Sequence, residues 1–487
     1  MTKELRRLSI LMLVMFLALF GSTSWIQVVN AEELAENPRN TRALYDSFEV
    51  QRGSIIASGT AIASSVPSND VYSWQRVYTE PDMWAPVTGY INPALGREAG
   101  TGIEQAMNSY LSGFAGSQFL SRIERIFTGQ PPRGSNVVLT LDATVQRAAY
   151  EALGDLQGGV IAIEPSTGRV LAMVTSPSYD TNLLASHNTE EVNAAYDTLV
   201  ADPGKPLSNR AIAGDLNPPG STFKLVVASA ALASGDYTPE STIPNPASYT
   251  LPGSSAVIYN DTRGTCGPGA TVTIADALRL SCNIPMAQLA VELGDTAIRE
   301  EAEKYGFNSS FEMPLVSTPS SYPRALDDAQ TALTGFGQGQ VIATPLQMAM
   351  VSAGIANGGV VMSPRMVDRV IGPDLSVQEV FEDVEFRRAL DQELADQMVA
   401  MMVANVSEGI ATGARIDGVD VAGKTGTAEN GPNQPYTLWF TGFAPADNPQ
   451  VAVAVVVEDG GGQGQSGSSN VIAAPIAKKV MEAVLGR

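Results

Sequence analysis

Apolar residues run almost unbroken from Leu8 to Phe20 and continue less purely through Trp25, Ile26, Val28 and Val29. The 22 residues from Leu8 to Val29 suffice to cross a bilayer as a helix, whereas the strictly apolar part alone has the length of a signal-peptide core. Lys3, Arg6 and Arg7 precede the run and point its N-terminus to the cytoplasm. Val29-Asn30-Ala31 before Glu32 offers a cleavage site, so anchor and leader both stand as readings, and both export the chain from about residue 32 onward. No later stretch is long and apolar enough to span. The pattern divides the start of the chain into a cytoplasmic tail (1–7), a signal anchor (8–29) and an extracytoplasmic remainder.

Residues 32–141 are broken by Pro38, Gly53, Gly59, Pro67, Pro81, Pro86 and Gly89 and show few long helical periods, which predicts an irregular, largely β module. Within it Gly102–Leu111 has helical spacing, Gly129–Gly134 reads as a linker and Val137–Leu141 as a strand. Asp142 is placed to cap a helix with Val145, Ala149 and Leu153 on one face, opening a second domain, 142–487. There, two apolar stretches in Gly159–Val174 flank the turn Pro165-Ser166-Thr167-Gly168, a hairpin signal. Tyr436–Phe443 and Val451–Val457 read as further strands, the second too apolar for an exposed edge. After the glycine-rich turn Gly460–Gly467, Asn470–Leu485 carries a helical face of Ile472, Ile476, Val480 and Val484. Strands from both ends of the region after 158 therefore enclose a long helical middle, and the expected class is α/β (α+β).

Composition narrows the chemistry. The chain of 487 residues is 44% hydrophobic and 17% charged, enough apolar material for sizeable cores and for more than one domain. A net charge of −21 repels phosphate backbones, which argues against nucleic acid as a partner. One histidine, His187, and two cysteines, Cys266 and Cys282, cannot build a multi-histidine or four-cysteine zinc site, and no metal or cofactor is expected. His187, in Ser-His-Asn-Thr-Glu, reads as a solvated loop residue.

Three short motifs remain. Pro218-Pro219-Gly220-Ser221-Thr222-Phe223-Lys224 is a turn feeding a helix, with Phe223, Val226, Val227 and Ala230 at helical spacing and Gly235 ending the run. Ser221 and Lys224 are three apart and share one helical face, so a lysine of lowered pKa can serve as base for a serine nucleophile. The alternative is a capping serine beside a surface lysine. Lys424-Thr425-Gly426-Thr427 precedes a turn at Asn430–Pro432 and the strand from Tyr436, which places it on a hairpin strand. Lys424 there can meet a substrate carboxylate while Gly426 lets a ligand backbone approach, or the lysine can simply be solvated. Ser281-Cys282-Asn283 lies between helical segments Ile274–Leu280 and Pro285–Leu293, where an interhelical turn would also favour Ser and Asn.

In the order Ser-x-x-Lys, Ser-x-Asn, Lys-Thr-Gly, with spacings of 60 and 143 between Ser221, Ser281 and Lys424, these elements resemble the active-site set of penicillin-binding proteins and serine β-lactamases. Arg52-Gly53-Ser54-Ile55 with Gly59 and Ala63 is similar to the start of class B members after their anchor, Gly159–Val174 to the first transpeptidase strands, and Gly335-Phe336-Gly337-Gln338-Gly339 to a family loop. The likeness covers nearly the whole chain and is greatest to the penicillin-binding protein A type of actinobacteria. It implies an antiparallel sheet flanked by helices in a transpeptidase domain (142–487), preceded by a non-catalytic, pedestal-like dimerisation module (32–141). It also implies a D,D-transpeptidase that cross-links peptidoglycan stem peptides and is acylated by β-lactams, working in cell-wall synthesis and in division or shape beside a membrane glycosyltransferase and division proteins.

By that resemblance Ser221 attacks the penultimate D-Ala carbonyl, Lys224 takes its proton, Ser281 relays a proton to the leaving D-Ala and Asn283 holds the donor peptide. Lys424, Thr425, Gly426 and Thr427 form the carboxylate-binding strand, with backbone amides of Ser221 and Thr427 as the oxyanion hole. A bifunctional enzyme would need a glycosyltransferase domain in the hundred or so residues before the linker, which is too few. A hydrolytic β-lactamase would need an activated water, for which no motif is seen. A β-lactam sensor or scaffold with little turnover, or a D,D-carboxypeptidase, stands as the alternative. Finally, both cysteines lie on the exported side, where an isolated pair oxidises if geometry allows, so a Cys266–Cys282 disulfide is expected to fix the Ser281–Asn283 loop, against two buried free thiols.

Overall fold

Val451–Val457 is apolar at every position because it runs through the middle of a five-stranded antiparallel sheet. The strand order is Ala422–Ala428, Thr437–Ala444, Val451–Val457, Gly158–Ile163, Val170–Ser176. Successive side chains point to opposite faces. Val451, Val453, Val455 and Val457 pack with Ala149 and Leu153 of helix Ala143–Leu153 and with Ile476 and Val480 of helix Ala473–Val484. Ala452, Ala454 and Val456 join the main core with helices Lys224–Ser234 and Pro345–Ala356. Both faces are thus covered by helices, as the family resemblance implied, and Val451–Val457 is no exposed edge, as its apolar pattern predicted. The computed structural model describes residues 2–26, 30, 49–70, 72–113 and 133–487. Apart from Asn30, Arg133 and Gly134, the candidate cleavage site at 29–31 and the linker at 129–134 lie outside the described residues.

The helix before the first domain runs from Thr2 to Ser24, starting ahead of the apolar stretch. Its side chains from Leu8 to Phe20 are exposed, and at about 1.5 Å per residue it is long enough for a bilayer core of about 30 Å. Asp142 caps helix Ala143–Leu153 by accepting from the amides of Thr144 and Val145 at 2.8 and 3.1 Å. The C-terminal helix begins at Ala473 rather than Asn470, because the preceding side chains are drawn away from it. Ser469 Oγ donates to the Gly426 carbonyl at 2.5 Å, and Asn470 Oδ1 accepts from the Gly413 amide at 2.7 Å. Gly102–Leu111 is two short helices, Gly102–Ala106 and Asn108–Leu111, broken at Met107.

A second sheet was not legible as a unit. It has six strands in the order Val377–Val380, Val367–Ile371, Asn136–Leu139, Ile55–Ala57, Thr60–Pro67, Trp74–Tyr78. Only the pair between Ile55–Ala57 and Asn136–Leu139 is parallel. Two of its strands come from the second half of the chain, so the early β segments and the later region share one sheet. Under it, Glu104 accepts from Arg52 at 2.8 Å and from Arg76 at 2.5 Å, all three side chains buried. His187 is not the solvated residue expected: its ring lies 4.7 Å from that of Tyr72 and its Nδ1 is 2.5 Å from Asp70, which packs it against the first module.

Candidate active site

Gly220–Phe223 forms a 3₁₀ turn that passes directly into helix Lys224–Ser234. Side chains three apart eclipse in such a turn, so Ser221 and Lys224 project to the same side. Gly220 has φ +53°, and a Cβ there would stand 2.7 Å from the Thr427 carbonyl oxygen. Its amide donates to the Gly337 carbonyl at 2.9 Å, so the Gly335–Gly339 loop props the turn from behind. The Lys-Thr-Gly segment lies on Ala422–Ala428, the edge strand of the five-stranded sheet, as expected. A Cβ at Gly426 would lie 2.7 Å from the Pro219 carbonyl, so this glycine first of all lets the strand lie against the nucleophile turn.

Lys224 and Lys424 are both buried, and their amines meet at one hydroxyl. Lys224 Nζ donates to Ser281 O at 2.7 Å, Asn283 Oδ1 at 2.8 Å and Ser281 Oγ at 3.2 Å. Lys424 Nζ donates to the same Ser281 Oγ at 2.8 Å and to the Thr425 carbonyl at 3.0 Å. Ser281 achieves this double exposure of hydroxyl and carbonyl through a left-handed backbone, φ +58°. Ser221 Oγ, by contrast, makes no hydrogen bond among the described residues. The Lys224 amine, three residues on, points instead to Ser281 and Asn283. Thr427 Oγ1 bonds Ser469 Oγ at 2.9 Å, and Thr425 is buried beside Lys424.

Burial pushes the Lys224 pKa down to about 7, with Asp261 pulling weakly the other way. Burial lowers Lys424 well below the ordinary lysine range too, and the neighbouring Lys224 charge adds to it. Among the described residues no buried carboxylate pairs with either amine, so burial disfavours the charged form of both. The site therefore contains a buried amine of lowered proton affinity three residues along the chain from Ser221.

Four contributors escaped the sequence reading. Asn260 Oδ1 accepts from the amides of Asn283 and Ile284 at 2.9 and 3.0 Å, capping helix Asn283–Lys304 from another loop. Asp261 Oδ1 accepts from Asn283 Nδ2 at 3.0 Å. Asn245 holds Cys266 through its amide and carbonyl at 2.8 and 3.0 Å, and Ser469 ties the end of the Lys-Thr-Gly strand. The adjacent Asn260-Asp261 pair, polar and shortly before Cys266, was the available signal. Cys266 and Cys282 are joined by a disulfide with Cα atoms 5.6 Å apart. Among the described residues no three His, Cys, Asp or Glu side chains gather as a metal site.

The profile of the penicillin binding protein transpeptidase domain matches residues 158–482, which hold the five-stranded sheet and all three motifs. The chain belongs to this family. The profile of the penicillin binding protein A dimerisation domain matches residues 52–137. Among penicillin-binding relatives, the peptidoglycan D,D-transpeptidase PbpA of Mycobacterium tuberculosis is 39% identical over 494 residues, covering 100% of this chain and 99% of the relative. The peptidoglycan D,D-transpeptidase MrdA of Haemophilus influenzae is 31% identical over 79% of this chain and 62% of its own length. The structure of M. tuberculosis penicillin-binding protein A as a ceftriaxone acyl-enzyme superposes with a TM-score of 0.86 at 39% identity, over 90% of this chain and 99% of that one. The fold is the penicillin-binding transpeptidase fold that the motif order implied.

Proposed function

We propose that this chain is a peptidoglycan D,D-transpeptidase, a serine acyltransferase with Ser221 as nucleophile and Lys224 as its base. One observation carries the reading: two buried lysine amines converge on the Ser281 hydroxyl beside the Ser221 turn, and burial brings the Lys224 pKa to about 7. Ser221 Oγ bonds to the carbonyl carbon of the penultimate D-Ala of a stem peptide as its proton passes to Lys224. Backbone amides at Ser221 and Thr427, on facing turn and strand, stabilise the oxyanion. The C–N bond then breaks, and the terminal D-Ala leaves as an amine after receiving the proton through Ser281, which bridges Lys224 and Lys424. An acceptor amine from a second stem peptide attacks the ester, gives its proton to Lys224, and Ser221 leaves with that proton. Lys424, Thr425 and Thr427 bind the terminal carboxylate, Gly426 gives the strand its close approach, and Asn283 lines the donor peptide.

β-Lactams acylate the same serine in this reading, which the acyl-enzyme of the M. tuberculosis protein supports. The exposed apolar helix at the N-terminus supports a single-pass anchor, and Lys3, Arg6 and Arg7 support an inward N-terminus with the catalytic part outside. Residues 32–141 serve as a non-catalytic pedestal or dimerisation module, for which the match over 52–137 is the support, and 142–487 carry catalysis. Cross-linking acts on newly made strands, so a membrane glycosyltransferase and division or shape proteins are the proposed partners. The test is incubation with a thioester donor and a D-amino acid. Transfer of the acyl group to the amine is expected; release of free acid alone would instead mean a carboxypeptidase, and no product a sensor.

A further inference from the structure

Cys282, which precedes helix Asn283–Lys304, gives it no side-chain cap. Asn260 supplies the cap from the loop opposite, and the next residue, Asp261, reaches the Asn283 side chain itself. Asn283 Nδ2 donates to Asp261 Oδ1 at 3.0 Å and to the Tyr259 carbonyl at 3.3 Å, while Asn283 Oδ1 accepts from Lys224 Nζ at 2.8 Å. A carboxylate only accepts, so it dictates which end of the amide turns toward it. A reversed amide would set Nδ2 against the Lys224 amine and Oδ1 against two oxygens. The loop is itself held, by Asn260 Nδ2 on the Gly264 carbonyl at 3.0 Å and by the disulfide at Cys266.

We propose that Asp261 is a positioning residue for acylation of Ser221, holding Asn283 so that its carbonyl fixes the Lys224 amine and setting a counter-charge before both buried lysines. This rests on Ser221 and Lys224 being nucleophile and base. Among the described residues the charged groups facing Lys224 are Lys424 from the strand and Asp261 from the loop; the Ser281–Asn283 turn presents neutral groups. Asp261 raises the proton affinity of both amines against burial, so its loss moves Lys224 further toward the neutral form. Because Asp261 is exposed, solvent screens its charge and the effect is modest.

The test is the rate of benzylpenicillin adduct formation by intact-protein mass, from pH 5 to 9, in the full chain and in Asp261→Asn and Asp261→Ala. Asparagine keeps an acceptor but no charge: the plateau rate should stay within about twofold and the acid limb move down by about half a pH unit, the scale of an exposed charge. Alanine also removes the hold, so the same shift should come with a plateau about tenfold lower, as for loss of one charge-assisted hydrogen bond. An acid limb unshifted in either variant, or an alanine plateau equal to or above that of the unaltered chain, overturns the proposal. The latter would mean that Asp261 competes with ligand for Asn283. Absence of any Ser221 adduct in the unaltered chain would instead overturn the assignment of the nucleophile.

Discussion

Arg52, Arg76 and Glu104 under the six-stranded sheet, and Lys224 and Lys424 beside the five-stranded one, are all buried, yet their charges are handled in opposite ways. Burial pushes the Glu104 carboxyl up, but the charges of Arg76 and Arg52 and their hydrogen bonds outweigh it and hold the pKa below the ordinary glutamate value. That cluster is a paired, hydrogen-bonded network, and it joins the Arg52 turn, the Trp74–Tyr78 strand and helix Gly102–Ala106. Among the described residues the charges acting on the two lysines are each other and an exposed Asp261, so burial wins and their pKa values fall. A buried charge with its counter-ion maintains shape, whereas a buried amine without one becomes a proton acceptor.

The contrast can be broken at either end. Lys224→Ala should slow β-lactam acylation of Ser221 by about 10²- to 10⁴-fold, the contribution typical of general-base catalysis, with folding intact by thermal melting. Near-normal acylation at neutral pH would show that another group takes the proton. Glu104→Ala should do the reverse, costing about 3–5 kcal/mol of stability by leaving two buried arginines unpaired, while the protein that remains folded is acylated normally. The lowered Glu104 pKa sets the sign: its stabilisation is complete above the unfolded glutamate range and is lost as pH falls through the folded value. Urea unfolding at neutral and acid pH checks both points, and a variant as stable as the original contradicts the paired-network reading.

Replacing Cys266 and Cys282 together by serine should cost up to about 3 kcal/mol in the chain-entropy picture for the 16-residue separation, and slow acylation by freeing the loop that holds Asn283. Unchanged melting and acylation would leave the disulfide without a role. Because the folded pKa of Lys224 is lowered to about 7, its burial penalty is fully present below that pH and is relieved as pH rises toward the unfolded lysine value. Lys224→Met should therefore be neutral or stabilising by about 1 kcal/mol at pH 6, as for an apolar replacement of a buried charge. Loss of stability there would mean that the amine is part of the scaffold.

Legibility along the chain followed the same division. The five-stranded sheet and the three motifs are read from short contiguous stretches, because a strand buried on both faces is continuously apolar and a nucleophile turn is written in adjacent residues. The six-stranded sheet needs Val367–Ile371 to find Asn136–Leu139 across more than two hundred residues, and strands as short and polar as Val377–Val380 carry no local signal of their partner. Within the site, Ser221, Lys224, Ser281, Asn283 and Lys424 stood out as residue types at a spacing, but not their bonds. The Lys224 amine turns to Ser281 and Asn283 because Ser281 adopts a left-handed backbone, which a serine does not announce. Asn260 and Asp261 lie on a loop whose place over Asn283 is set by the disulfide and Asn245, contacts that arise only in the folded chain.

The proposal that a buried amine at Lys224 with no buried counter-ion activates Ser221 is decided by the rate of benzylpenicillin acylation as a function of pH. A base must be neutral to accept a proton, so with a Lys224 pKa of about 7 the rate should rise with pH through that value and level off above it. A rate that is flat from pH 5 to 9, or that is still rising near the pKa of an ordinary lysine, would mean that Lys224 is not the base.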